Sequence, residues 1–150
     1  MDAMAHTFRE SGARVLVEDL TVLTTDSAAM GQIIGNLLSN SIKYLQPQRP
    51  GVITISGQSD SRLKQVILEI KDNGRGISEQ DIHKIFSLFQ RVGKQDQPGE
   101  GMGLSYVRTL VTRLGGKITC QSILGQGSTF TVIFPMDPPR NNHHEERNTR

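Results

Sequence analysis

A chain of 150 residues with 35% hydrophobic and 21% charged side chains has the size and composition of one globular domain, able to build a core without disulfide or metal staples. Its 17 Lys and Arg stand against 15 Asp and Glu, and a dispersed net charge of +2 excludes the electrostatic footprint of a nucleic-acid or membrane-surface binder. The lone Cys120 has no disulfide or zinc partner, no apolar run approaches the roughly 20 residues of a membrane span, and no secretion signal opens the chain, so a soluble, cytoplasmic domain is expected.

Residues 2–10 form a helical candidate that stops at Ser11-Gly12, after which residues 14–18 alternate like a strand and residues 21–24 offer a second short one. Asp26 is placed to cap a helix running to about Leu45, ahead of Pro47. Residues 51–59 and 64–72 both alternate, with Val52, Ile53, Ile55 and Val66, Leu68, Ile70 as apolar positions, and predict a hairpin. Ser78 caps an expected helix over residues 79–86, and residues 90–99 are a polar loop expected to be mobile. A helix over residues 102–114 stops at Gly115-Gly116, and strands at 117–123 and 129–134 make a second hairpin. Residues 137–150 carry prolines, asparagines and charges without apolar periodicity and are expected to be disordered.

The long helix carries two chemistries. Ile34, Leu37, Leu38, Ser41 and Leu45 recur at helical spacing and face a core, with Ile33 and Ile42 on the flank. Asn36, Asn40, Lys43 and Tyr44 share another face. Asparagine is a mediocre helix former, so two of them one turn apart suggest ligand contacts rather than solvation. A carboxamide oxygen suits Mg²⁺, and a neighbouring lysine supplies a point charge for phosphate oxygens.

Two glycine loops follow. The first, from Asp72 through Gly74 to Gly76, comes directly after a strand, where an aspartate can accept a hydrogen bond from an exocyclic amine and glycines allow close backbone approach. The second, from Gly99 through Gly101 and Gly103 to Leu104, leads into a helix whose free N–H groups suit phosphate. Neither loop has the spacing of the P-loop or the dinucleotide fingerprint.

Taken in order, these segments resemble the histidine-kinase branch of the ATPase superfamily that contains gyrase, Hsp90 and MutL. Asn36-Leu37-Leu38-Ser39-Asn40-Ser41-Ile42-Lys43-Tyr44 looks like its N box, and Asp72-Asn73-Gly74-Arg75-Gly76 like its first glycine box. Ile85-Phe86-Ser87-Leu88-Phe89-Gln90-Arg91 looks like its F box, and residues 99–104 like its second glycine box. The resemblance implies a two-layer α/β (α+β) sandwich of the Bergerat type, with a mixed, mostly antiparallel sheet, helices on one face and ATP under a flexible lid. It puts Mg²⁺ on Asn40, the adenine amine on Asp72, phosphate on Lys43, and the base or ribose near Tyr44. The resemblance makes Asn40 and Lys43 the expected catalytic pair. Asn36, Gly74, Gly76, Ile77, Gly101, Met102, Gly103 and Leu104 join the ATP-binding set, with lid cations Arg91 and Lys94 and a hydroxyl at Thr129 that helps bind adenine through water.

Gyrase-like and Hsp90-like members carry a glutamate, the general base for water, where this chain has Asn36. A carboxamide accepts no proton at neutral pH, so hydrolysis by that route is not expected, whereas phosphoryl transfer to an external acceptor is. His6, His83, His143 and His144 do not fit the phosphate-accepting histidine of the family. The expected organisation is therefore a remnant of a preceding helical dimerisation domain or linker at residues 1–12, a catalytic domain at 13–136, and a tail. The partners implied are ATP, a helical phosphoacceptor domain of the same protein, which Phe86 and Phe89 could dock if they are not core residues, and a response regulator. No nucleic-acid or membrane contact is implied, and the isolated domain is expected to be a monomer. A serine kinase of the anti-sigma type and a module binding ATP only as a regulator share these boxes and are the alternatives.

Overall fold

The computed structural model describes residues 2–87 and 103–137. Five strands form one sheet in the order β1-β2-β3-β5-β4: β1 Arg14–Glu18, β2 Val52–Asp60, β3 Gln65–Asp72, β4 Lys117–Ile123 and β5 Gly127–Pro135. β1 runs parallel to β2, and every other pair is antiparallel. A parallel pair needs a crossover, which α2 (Ser27–Lys43) supplies between β1 and β2. α1 (Asp2–Ser11) precedes the sheet, and α3 (Gly103–Arg113) lies between β3 and β4.

Strand alternation decides which side chains meet the helices. Along β5, Ser128, Phe130, Val132 and Phe134 are buried while the residues between them are partly open, and on β3 Val66, Leu68, Ile70 and Asp72 share that face. From α2 the stripe is centred on Ile33, Leu37 and Ser41, with Ile34, Leu38, Ile42 and Leu45 at its margins, one position round the helix from the expected centre. Val107, Leu110 and Val111 of α3 complete the core. The fold is thus the expected two-layer sandwich, with helices on one face of a mostly antiparallel sheet.

Asp26 caps α2 as expected: its carboxylate accepts from the N–H groups of Ala28 at 2.9 Å and Ala29 at 3.1 Å. Two local expectations differ. Residues 21–24 make no strand: the ladder with β2 ends at Glu18, and Asp19, whose φ is +25°, interrupts the extended backbone that a continued strand needs. Residues 79–86 hold only a 3₁₀ turn, Ile82–Lys84, although Ser78 does accept from the Asp81 N–H at 3.2 Å. Ile82 and Ile85 both turn toward the core at a spacing of three, which matches three residues per turn rather than 3.6. Phe86 packs inside this domain, edge-on to Phe130 with ring centroids 6.3 Å apart, so it belongs to the core. Phe89, the loop at 90–99 and the tail at 138–150 lie outside the described residues.

Replacing Asp26 by Ala removes both cap bonds and is expected to lower stability by about 1 kcal/mol. Urea unfolding at pH 7 measures this, and an unchanged midpoint would show that water caps the helix equally well.

Candidate functional site

The last turns of α2 and the loop after β3 meet directly. Arg75 N–H donates to the Tyr44 carbonyl at 2.9 Å, and its guanidinium carbon sits 4.6 Å from the centre of the Tyr44 ring. A side chain at Gly74 would run into that same Tyr44 carbonyl, and one at Gly76, whose φ is +69°, into the carbonyl of Ile123. The close approach that these glycines permit is therefore to the chain's own backbone, which locks the loop between α2 and the β4–β5 turn.

On the exposed side of α2 the four polar residues behave differently. Asn36 is committed, its Nδ2 donating to the Gln32 carbonyl at 2.7 Å. The side chain of Asn40, one turn on and half-buried, makes no hydrogen bond to a described residue, which leaves its carboxamide oxygen available to a ligand. Lys43 is exposed at the end of the helix, and Tyr44 is half-buried with one ring face covered by Arg75.

Asp72 ends β3 on the helix side of the sheet and is only 6% exposed. Its Oδ1 accepts from the N–H groups of Gly74 at 2.9 Å and Ser128 at 3.3 Å, while Oδ2 accepts no hydrogen bond from a described residue. Burial pushes its carboxyl above the ordinary range, and the Gly74 and Ser128 N–H groups and then the Ser41 hydroxyl pull it part of the way back. The Ser41 Oγ itself is buried without a partner at hydrogen-bonding geometry, so its effect on the carboxylate is through proximity rather than a formed bond. Cys120, on the same face of β4, is pushed up to about 12 by burial and then by the Asp72 charge, so it is a neutral thiol at physiological pH.

Of the other expected site residues, Ile77 docks its N–H on Ser122 Oγ at 2.7 Å, and Gly103 and Leu104 open α3, with Leu104 against the core. Thr129 is not brought to Asp72. It pairs with Lys71 and points to the opposite face of the sheet, and the hydroxyl directly across from Asp72 is that of Ser128. Counting the alternation back from Phe134 would have placed Ser128 on the helix side. Arg91, Lys94, Gly101 and Met102 lie outside the described residues.

Arg49 had no sequence signal, and Asn73, although part of the first glycine box, had no role assigned to its side chain. Arg49 donates through Nε to the Asn73 carbonyl at 2.8 Å, and its Nη2 reaches the carbonyls of Gly74 at 2.8 Å, Gly125 at 3.0 Å and Gln126 at 3.2 Å. It clamps the glycine loop to the β4–β5 turn. Asn73 ties the same loop to β2, accepting from Val52 N–H at 2.8 Å and donating to the Pro50 carbonyl at 2.9 Å.

A helix bearing an uncommitted carboxamide, set against a glycine loop that starts from a buried carboxylate, defines a nucleotide-site class of two-layer fold. The family model described as histidine kinase-, DNA gyrase B- and HSP90-like ATPase matches residues 25–138, and the chain belongs to that family. Within it, the chain is 35% identical over 117 residues to the circadian input-output histidine kinase CikA of Synechococcus elongatus, covering 76% of this chain and 15% of that protein. It is 38% identical over 133 residues to the sensor histidine kinase AtsR of Burkholderia thailandensis, covering 84% of this chain and 21% of that protein. It thus spans about a fifth or less of the length of these relatives. Among solved structures, the mycobacterial sensor histidine kinase MprB superposes with a TM-score of 0.77 at 25% identity, covering 92% of this chain and 93% of that one.

The raised carboxyl of Asp72 sets a pH dependence. Because the folded state holds the Asp72 proton more tightly than the unfolded chain, ionisation at neutral pH disfavours folding, and that penalty disappears as pH falls through the raised value toward the ordinary carboxylate range. Asp72→Asn keeps an oxygen for the Gly74 and Ser128 N–H groups but removes the buried charge. The ligand-free variant should melt at or above the wild-type temperature at pH 7, with the gap closing toward pH 4. A variant that melts lower at pH 7 would show that the ionised carboxylate supports the empty fold.

Proposed function

We propose that this chain is the ATP-binding catalytic domain of a cytoplasmic sensor histidine kinase, transferring the γ-phosphoryl of ATP to a histidine on a helical dimerisation domain and thence to a response-regulator aspartate. The observation that carries the reading is the juxtaposition of two acceptors without a partner among the described residues, the Asn40 carboxamide on α2 and the Oδ2 of buried Asp72, on elements bridged by the Arg75 to Tyr44 contact. Family membership and relatives that are sensor histidine kinases support it. No helix among the described residues is long and apolar enough to cross a membrane.

Each residue has a role that its surroundings favour. Asp72 Oδ2 accepts from the adenine amine, a donor that offsets the cost of keeping the carboxylate charged in a buried place. Gly74, Gly76 and Ile77 shape that end of the pocket, and Tyr44 and Asn36 line the helix side. Lys43, exposed at the end of α2, is free to meet phosphate oxygens, together with Arg91, Lys94, Gly101 and Met102 of the second glycine box and Gly103 and Leu104 at the start of α3.

Mg²⁺ fits the donor set. Among the described residues no cluster of three His, Cys, Asp or Glu could hold a metal, so an ion here takes one protein oxygen, from Asn40, and completes its shell with phosphate and water. When bound, it supplies charge neutralisation on the phosphates. Asn36 stands where a water-activating base stands in other branches, and its amide is both non-basic and tied to Gln32, which favours transfer over hydrolysis. On this reading residues 13–136 are the catalytic unit, monomeric in isolation, and residues 1–12 are a remnant of a helical dimerisation domain or a linker.

Asp72→Ala is expected to weaken ADP binding by about 1.5 to 3 kcal/mol, roughly ten- to a hundredfold, by calorimetry. Unchanged affinity would remove the adenine assignment. Asn40→Ala should abolish the Mg²⁺ dependence of ATP binding, and a variant that keeps it would place the metal elsewhere. Transfer itself is tested by supplying a helical phosphoacceptor domain with radiolabelled ATP and looking for acid-labile phosphate on histidine.

A further inference from the structure

We propose that Ser122 is a positioning residue that fixes the Ser128 hydroxyl as a hydrogen-bond acceptor toward the base, so that the site discriminates against purines with a carbonyl in place of the six-position amine. The inference rests on the nucleotide reading above and adds to it a residue that determines base selectivity.

The argument is a count of hydrogens. Ser122 Oγ lies 2.7 Å from the Ile77 N, 2.9 Å from the Gly127 carbonyl oxygen and 2.7 Å from the Ser128 Oγ. A backbone N–H can only donate and a carbonyl can only accept, while a serine hydroxyl has one hydrogen and two lone pairs. The Ser122 hydrogen therefore goes to Gly127. Its lone pairs receive Ile77 N–H and, at 2.7 Å, the only remaining hydrogen, that of Ser128. Ser122 is then saturated and the Ser128 hydrogen is spent, leaving Ser128 with lone pairs alone.

Ser128 pairs directly with Asp72 across β3 and β5, on the helix side of the sheet. An ionised Asp72 is also acceptor-only. Two acceptors side by side favour a ligand edge that donates, directly or through a water, and an amino group does so. A carbonyl oxygen in that place meets lone pairs from both, an uncompensated polar contact. Were Ser122 absent, the Ser128 hydroxyl could rotate and donate to such an oxygen.

Calorimetry with ADP and IDP on the full chain tests this. Wild type should prefer ADP, and Ser122→Ala should reduce the ADP-to-IDP ratio by about five- to tenfold, the scale of one hydrogen bond gained by the wrong base. Ser122→Thr, which keeps the hydroxyl, should restore it. Equal weakening of both ligands in Ser122→Ala would overturn the proposal and leave Ser122 a scaffold residue, as would a wild type that binds ADP and IDP alike. Should Ser122→Ala fail to fold, Ser128→Ala decides: a reduced ratio supports the proposal, and a wild-type ratio overturns it. A wild type that binds neither nucleotide refutes the ATP reading itself, an outcome distinct from the others.

Discussion

The carboxylate of Asp72 is buried at the end of a central strand, where it has lost most of its contact with water and two backbone N–H groups only partly replace that solvation. A group in that position is unfavourable for folding, and much of the surrounding structure is the arrangement that makes it tolerable. Gly74 must lack a side chain so that its N–H can turn back to Oδ1 beneath the α2 carbonyls. β5 must be in register with β3 so that Ser128 N–H arrives opposite. α2 must end where it does, because the loop docks on the Tyr44 carbonyl. Position after position in the two boxes thus answers to one charge.

The site's two halves differ in character. The β side is crowded with committed groups: Asn73, Ser122 and Ile77 all have partners within the chain. The α2 side is looser, with Asn40 uncommitted and Lys43 in solvent. Rigid geometry suits recognition of a planar base, whereas phosphates and a hydrated ion are met by side chains that can adjust.

How much of this the residues disclosed beforehand depended on whether the governing interaction was local. Alternation and capping made β1 to β5, the Asp26 cap and the position of Asp72 legible, because period and hydrogen-bond demand are properties of short segments. Residues 79–86 misled because a capping serine and early carboxylates favour any helical turn, and only the core contacts of Ile82 and Ile85 choose the 3₁₀ form. Thr129 was one residue off its proper face, an error that a period of two turns into the wrong side of the sheet. Arg49 was invisible, since its acceptors are backbone carbonyls, which every residue type possesses.

Those acceptors lie between 24 and 77 positions along the chain from Arg49. Such contacts close large loops, and they cannot form until β2, β3 and the β4–β5 turn are already assembled. One arginine in a proline-flanked loop thereby ties the end of β3, the glycine loop and the β4–β5 turn into a single unit, so that displacing any one of them means breaking bonds held in common with the others.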